Sequence, residues 1–321
     1  MAMGKVTVLA YHRISTPTSP ESAYLSPTLI DAYPDDFDAN MRWLTKRYNV
    51  ISGWQLVDAL QEKKPLPPRA MMITFDDGYS CFLSTAVPIL RKYKLPATLF
   101  VPTDYTSNPT RPFWWDTVYN ALRITKRTRI TIPSVATLSL NNQQEREAAY
   151  EALVGVIERT DADKVDQLVE TIAETCDYKP SNEKQRLDWQ EVKALSEAGD
   201  ITIGSHTRSH PILSRTTAQQ MQEEIKGSWD DLSANLSRPL PLFAYPNGQA
   251  YAINEANQQT VKQAGLPGAF TMMAGHNTPG QTNPYMMHRI GATAGLSLLR
   301  FKLRVSPLGQ LLRQAKGFVR R

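Results

Sequence analysis

The sequence of 321 residues reads as an α/β protein built on parallel strands joined by helical crossovers. Three observations predict this. Short runs rich in apolar and β-branched residues, VTVLAY at 6–11, MMITF at 71–75, ATLFV at 97–101 and ITI at 201–203, have the character of strands buried on both faces. Between them lie stretches with apolar residues three and four apart, the period of helices with one buried face. The polar residues that close two of these runs, Asp76-Asp77 and Ser205-His206, fall at C-terminal strand ends, where barrels of this class carry their active sites. The length admits two domains or a single α/β barrel with an insertion.

Val6–Tyr11 is the first strand, and it ends in Tyr11-His12-Arg13. A His at that point can face the mouth of a barrel, but a hydrogen-bonded structural role for His12 is favoured over a catalytic one. After a loop rich in Ser, Pro and Thr, the spacing of Phe37, Met41, Leu44 and Tyr48 predicts a core-facing helix over 36–48. Val50-Ile51 forms a short strand, 54–60 a second helix, and the Pro-rich link 65–68 delivers the chain into the strand at 71–75. Residues 81–93 form a helix and 97–101 a buried strand. The segment 103–186 is the least barrel-like. Its Phe113-Trp114-Trp115-Asp116 cluster suits sugar stacking or the anchoring of an insertion, and anchoring is favoured. Helices over 148–160 and 165–176 predict a helical hairpin inserted between barrel strands, with the place of a lid. Residues 187–198 are helical, stopped by Gly199 in the manner of a C-terminal cap. A long helix over 216–236 carries Met221, Ile225, Trp229 and Leu232 on one face. Residues 254–264 form another helix and 269–271 a late strand, and His276 sits in a polar loop, exposed and inert.

The chemistry concentrates in two stretches. In MMITFDDGYS an apolar run meets two adjacent carboxylates, Asp76 and Asp77, which repel each other unless a cation or a proton-transfer role accounts for them. Taken alone, a solvated Asp-Asp turn fits as well. In ITIGSHTRSH, His206 and His210 stand four apart, a spacing that brings both imidazoles to one side of a helical turn and lets them share a metal ion. The chain has five histidines in all, so a pair at ligand spacing just past a strand is a strong signal. One carboxylate and two imidazoles leave positions open for water and substrate, the catalytic pattern.

Thr74–Gly78 (TFDDG) followed by His206–His210 (HTRSH) resembles the first two motifs of the polysaccharide deacetylases, the NodB-homology carbohydrate esterases, over about 6–290. The resemblance implies a distorted (β/α) barrel over 1–294 with a helical insertion over about 104–186. It implies that Asp76 is the general base and that Asp77, His206 and His210 bind a divalent ion, zinc by preference. It further implies removal of an N-linked acetyl group from an amino sugar in a polysaccharide or lipid-linked glycan. Such proteins often carry a Tyr-His like Tyr11-His12. Leu242–Gly248 (LFAYPNG) resembles the third motif, in which an Arg tunes the base. Here Ala244 stands in its place, and Asn247 offers a backbone N–H for the oxyanion. For the last motif, His288 is the candidate general acid, while Arg289 is a candidate for the cation missing at Ala244, paired with Asp76.

The net charge of +5 is uneven. No acidic residue follows Glu255, and Gly295–Arg321 holds seven Lys or Arg, so the body carries a small negative charge and the basicity belongs to this 295–321 tail. Cations interleaved with apolar residues suit an anionic membrane surface, and a barrel-packing segment with a disordered basic end fits equally. No basic-aromatic signature supports nucleic-acid binding. No apolar run approaches the ~20 residues of a membrane span, the start does not read as a secretory signal, and Cys81 and Cys176 form no motif. A cytoplasmic protein, peripheral at the inner membrane face, is expected from these. Two rival readings stay open: an iron(II) enzyme using the same His-His-carboxylate set, against which the second carboxylate argues, and a catalytically impaired sugar-binding relative, against which the retained Asp and His residues argue.

Overall fold

The computed structural model describes residues 4–306 and 309. Its strands are β1 (Val6–Tyr11), β2 (Arg13–Ile14), β3 (Ile30–Ala32), β4 (Asn49–Val50), β5 (Ala70–Phe75), β6 (Ala97–Val101), β7 (Arg129–Ile132), β8 (Ala136–Ser139), β9 (Ile201–Ser205), β10 (Leu242–Ala244), β11 (Gly268–Phe270) and β12 (Ile290–Gly291). The α-helices are α1 (Pro34–Leu44), α2 (Gly53–Gln61), α3 (Val87–Lys92), α4 (Thr103–Ser107), α5 (Trp114–Ile124), α6 (Gln143–Ile157), α7 (Ala162–Thr175), α8 (Trp189–Ala198), α9 (Ala218–Asn235), α10 (Glu255–Gln263) and α11 (Leu298–Val305).

Eight strands form one parallel sheet in the order β11-β10-β9-β6-β5-β1-β12, with β4 lying on the first half of β5. It curves into a half-barrel, and residues 287–291 bridge its open side. Met287 bonds to Ala269 and Thr271 at the β11 edge, and β12 then pairs with β1 at Leu9–Ile290 and Ala10–Gly291. The strand period sorts β5 to two faces. Met71, Ile73 and Phe75 pack outward with α1, α3 and α8, while Ala70 and Met72 join Val8, Phe100, Leu242 and Phe270 inside, where α2 adds Leu56 and Val57.

Local chemistry accounts for the helix ends. Asp188 and Glu191 form a reciprocal capping box that starts α8, and Gly199 at φ 80° ends it. Thr217 and Gln220 do the same for the start of α9. The helix expected over 81–93 opens instead as a wide π turn at Phe82–Ala86 before α3, because Pro88 has no N–H to offer the preceding turn.

Between β6 and β9 the chain leaves the barrel through α4, α5, the β7–β8 hairpin, α6 and α7. This segment has a core of its own, with Val118, Leu122, Ile130, Leu153 and Ile172 at its centre. The hairpin was not foreseen: its strands are four residues each, with inward residues only at Ile130 and Ile132 on β7, too short for a clear period-two signal. At the other end of the chain, α11 turns Phe301 and Val305 into the outer core against Trp43 of α1 and leaves Leu299 and Leu303 exposed. Residues 307–308 and 310–321 of the basic segment lie outside the described residues. Among the described residues no helix is long and apolar enough to cross a membrane.

Candidate metal centre and hydrolytic site

The strand β5 sets the two carboxylates apart. Asp76 continues the ladder, its N–H bonded to Tyr11 O, whereas Asp77 and Gly78 take left-handed conformations at φ 72° and 64°. That turn sends adjacent side chains in different directions. Thr207, His210 and Asn247 around the same cavity are also left-handed, each at a cost of roughly 1 kcal/mol for a non-Gly residue, so backbone strain gathers at this end of the barrel.

Asp77 meets both imidazoles. Nε2 of His206 and of His210 lie 3.4 and 3.3 Å from Asp77 Oδ1, and the three ligand atoms fall within 4.8 Å of one another. These separations exceed those of strong charge-assisted hydrogen bonds, and the buried Oδ1 has no well-formed hydrogen-bond partner. Nδ1 of His206 lies 2.7 Å from Ala244 O, which only accepts, so Nδ1 carries the proton and Nε2 turns its lone pair toward the carboxylate. Burial holds the His210 pKa below its ordinary value even with Asp77 beside it. Lone pairs aimed at one buried point are the donor set of a cation site. Tetrahedral ligands at about 2.0–2.1 Å from a zinc ion stand roughly 3.3 Å from each other, the spacing seen here. The residues fit a divalent metal.

Residues 206–210 are not the helical turn expected from the four-residue spacing. They form a loop with Thr207 and His210 left-handed, closed by the His210 N–H donating to Thr207 Oγ1 at 3.0 Å. Helix α9 fastens that loop. The Glu224 carboxylate accepts the N–H groups of Arg208 and Ser209, each at 2.8 Å, and Asp231 takes the Arg208 guanidinium at 2.8 and 2.9 Å. Gly227 leaves room for that guanidinium, since a Cβ there would meet it at 2.6 Å.

Asp76 pairs with Arg289 through both oxygens, at 2.8 and 2.7 Å, with both side chains buried. Arg289 is held in turn by Thr271 O at 3.0 Å. Burial alone would raise the Asp76 pKa, but the Arg289 guanidinium first, with His12 behind it, holds it below the usual carboxylate value. The contact expected between Arg289 and Asp76 is therefore present, and the Ala244 strand contributes a main-chain oxygen to His206 instead of a cation.

His288 stands elsewhere. It is clamped on Asn277, its N–H donating to Oδ1 at 2.7 Å and its carbonyl accepting from Nδ2 at 2.9 Å, with its ring against Gly275. It does not line the cavity that holds Asp76 and Asp77. Strand geometry accounts for the place of His288, the expected acid: neighbours in an extended segment point to opposite faces, and Arg289 has the inward one. His12 does line the cavity, beside His206 and His210. Its N–H and its Nδ1 meet Asp31 Oδ2 at 2.5 and 3.0 Å. Burial pushes the His12 pKa down, but the Asp31 carboxylate, with Asp77 and Asp76 beyond it, lifts it to about 9. Tyr11-His12 at a strand end was the available signal. Asp31, nineteen residues further on in the short strand β3, carried none.

The cavity measures about 380 Å³. The inserted segment supplies one wall with Trp114, Trp115, Tyr150 and Glu158, and Asn247 faces Glu158, donating from Nδ2 at 3.1 Å. Trp115 stands edge-on to His210 with ring centroids 5.0 Å apart and donates its indole N–H to Tyr79, so this cluster both anchors the insertion and walls the site. A larger cavity of about 760 Å³ lies between α5 and α7 and holds no carboxylate–imidazole set.

Comparison with known proteins agrees with this arrangement. The sequence model of the family described as polysaccharide deacetylase matches residues 63–269. YxkH of Bacillus subtilis (strain 168), itself named for the polysaccharide deacetylases, is 21% identical over 294 residues, 91% of this chain and 73% of that protein. A 56-residue stretch is 41% identical to the poly-β-1,6-N-acetyl-D-glucosamine N-deacetylase of Escherichia coli (strain K12), covering 17% of this chain and 8% of that one. Among solved structures, the Streptococcus pyogenes deacetylase PplD in complex with acetate superposes with a TM-score of 0.62 at 19% identity, covering 96% of this chain and 100% of that one. IcaB from Ammonifex degensii does so with 0.59 at 17% identity, covering 95% and 98%. At these identities the structural likeness is one of fold. The family match spans more than half of the chain, and on it this protein belongs to the polysaccharide deacetylases.

Proposed function

We propose that this protein is a metal-dependent N-deacetylase that hydrolyses the acetamide of an amino sugar within a glycan. The observation that carries the reading is the convergence on one cavity of a metal-ligand set, an ionised carboxylate beside it, and a histidine held protonated by a second carboxylate. Asp77, His206 and His210 would hold a divalent ion, zinc being suited to one oxygen and two nitrogen donors. Such an ion supplies Lewis acidity toward the acetamide oxygen and acidifies water. Asp76 accepts the proton of the attacking water as its oxygen bonds to the carbonyl carbon. Arg289 fixes the Asp76 carboxylate through two of its lone pairs and leaves others free for that proton. The main-chain N–H of Asn247 is assigned to the oxyanion that forms. The acid role expected of His288 passes to His12, oriented by Asp31, which donates its proton to the sugar nitrogen. The C–N bond then breaks to give acetate and a free amine, since an unprotonated amine is a poor leaving group.

The names of the relatives support an N-acetylated polysaccharide as the substrate class. The basic segment from Gly295 is assigned to an anionic membrane surface, supported by the exposed Leu299 and Leu303 and the cations Arg300 and Lys302 on α11. The direct test is acetate release from N-acetylglucosamine oligomers with and without added zinc. Release that needs the metal and falls at least 10²-fold in Asp76→Asn is expected. Equal release by Asp76→Asn would remove the carboxylate from the mechanism.

A further inference from the structure

The large cavity between α5 and α7 is joined to the catalytic one. A small pocket of about 70 Å³ shares Trp114, His210 and Ile212 with the catalytic cavity and Tyr105, Arg111, Trp114 and Asp166 with the large one. The three cavities thus follow one another along shared walls, outlining a groove from His210 past Trp114 into the insertion. The large cavity, about 760 Å³, is in the range of ligand sites, and Trp114 and Tyr178, both half-buried, put aromatic side chains on its lining.

The far wall carries an unusual charge row. Asp166, Glu170 and Glu174 are spaced by four on α7 and all line the cavity, so like charges are neighbours along one helix face. Each such pair destabilises a helix slightly. Asp166 is answered by Arg111 at 3.1 Å, and Asp177 at the same wall by Arg127 at 2.8 Å. Among the described residues Glu170 and Glu174 make no side-chain hydrogen bond or ion pair, and the remaining cation of the lining is Lys179. Carboxylates left without a partner beside stacking rings, at the end of a groove leading from an amide-hydrolysing site, match one chemical class: sugars bearing a free ammonium group.

Resting on the N-deacetylase reading above, we propose that this groove is an extended glycan subsite in which Trp114 stacks one sugar of the chain. The Glu170–Glu174 end holds residues already freed of acetyl, so that the substrate is an oligomer or polymer whose deacetylated stretch stays bound. The row repels phosphate and other anions, which excludes an anionic ligand from this end.

The test is calorimetric binding to the full chain of two tetramers of equal length, glucosamine and N-acetylglucosamine, in low and high salt. The glucosamine tetramer is expected to bind more tightly at low salt and to lose that advantage at high salt. The Glu170→Gln/Glu174→Gln double variant is expected to weaken it by about fivefold or more, and Glu170→Asp/Glu174→Asp to restore it. The thermal midpoint of the Gln variant is expected not to fall, because a repulsion has been removed. Trp114→Ala is expected to weaken both tetramers. Equal affinity of the Gln variant and the parent for the glucosamine tetramer, or no preference for the cationic tetramer in the parent, would overturn the subsite. Absent acetate release with this binding pattern intact would overturn the hydrolytic reading and leave the groove standing.

Discussion

Asp76 and Arg289 lie 213 residues apart in sequence and meet through two short hydrogen bonds in a closed interior. The pair cannot be taken apart from one side without cost. Arg289→Met leaves a buried carboxylate with its compensating cation gone, and a loss of about 3–5 kcal/mol in denaturant unfolding is expected. Arg289→Lys keeps the charge but not the fork, so it is expected to fold and to lose turnover through a misaimed Asp76. His12 gives the pH-dependent counterpart. Its pKa of about 9 lies above its ordinary value of 6.5, burial being outweighed by Asp31 and the more distant Asp77 and Asp76. A group raised in this way contributes stability that is fully present below about pH 6.5 and lost as pH rises through about 9. A divalent ion on Asp77 offsets part of the carboxylate pull and brings the value down. Activity that needs protonated His12 falls on the alkaline side. Asp31→Asn is expected to move that limb to lower pH, and His12→Ala to cost about 10²–10⁴ in kcat. His288→Ala is expected to leave turnover near normal. A pH–rate profile of the three variants checks the set, and an unmoved alkaline limb in Asp31→Asn would count against His12.

Among the elements, α9 does most to shape the candidate metal site without touching it. Two carboxylates one helix face apart, Glu224 and Asp231, hold the main chain and the guanidinium of the loop that carries both imidazoles. With Thr207 and His210 in left-handed conformations, that loop is strained and depends on the hold. Glu224→Ala is expected to weaken zinc binding by 10–100-fold, with only a modest loss of thermal stability. Zinc titration of the apoprotein alongside a melting curve separates the two effects, and unchanged affinity would show that the loop holds its shape by itself. The inserted α6 acts on the other wall: Tyr150 on the helix and Glu158 at its C-cap close the cavity from a segment that the barrel does not need for its sheet.

For the whole molecule, charge and closure matter most. The acidic residues end at Glu255, and the chain after it adds only cations. A protein with this division is expected to sediment with vesicles containing phosphatidylserine and not with phosphatidylcholine alone, each cation near the headgroups adding ~1 kcal/mol. Leu299→Ser/Leu303→Ser is expected to reduce that binding, because both side chains stand exposed on α11. Equal sedimentation with both lipids would remove the electrostatic attachment. Closure of the half-barrel by residues 287–291 is the other global feature, for it decides which side chain of that segment enters the interior.

The parallel α/β class, the helix stop at Gly199, and the Asp-His-His set that could hold a metal ion were legible because each rests on short-range pattern: an apolar run, a period of 3.6, a turn residue, two histidines four apart. The loop path between those histidines was not legible, since the same spacing serves a helix and a strained turn. The β7–β8 hairpin was too short to announce itself. What tertiary structure alone decided was orientation across long separations. Pairing of Leu9 with Ile290 sets the parity of the last strand, and one residue of slip would exchange Arg289 for His288 at the Asp76 carboxylate. Folding of the loop before α1 brings Asp31 to His12, and docking of the insertion turns Trp114 and α7 toward the groove. Local sequence carries the chemistry of each side chain, but the facing of one side chain to another depends on register and packing between segments that no local pattern connects.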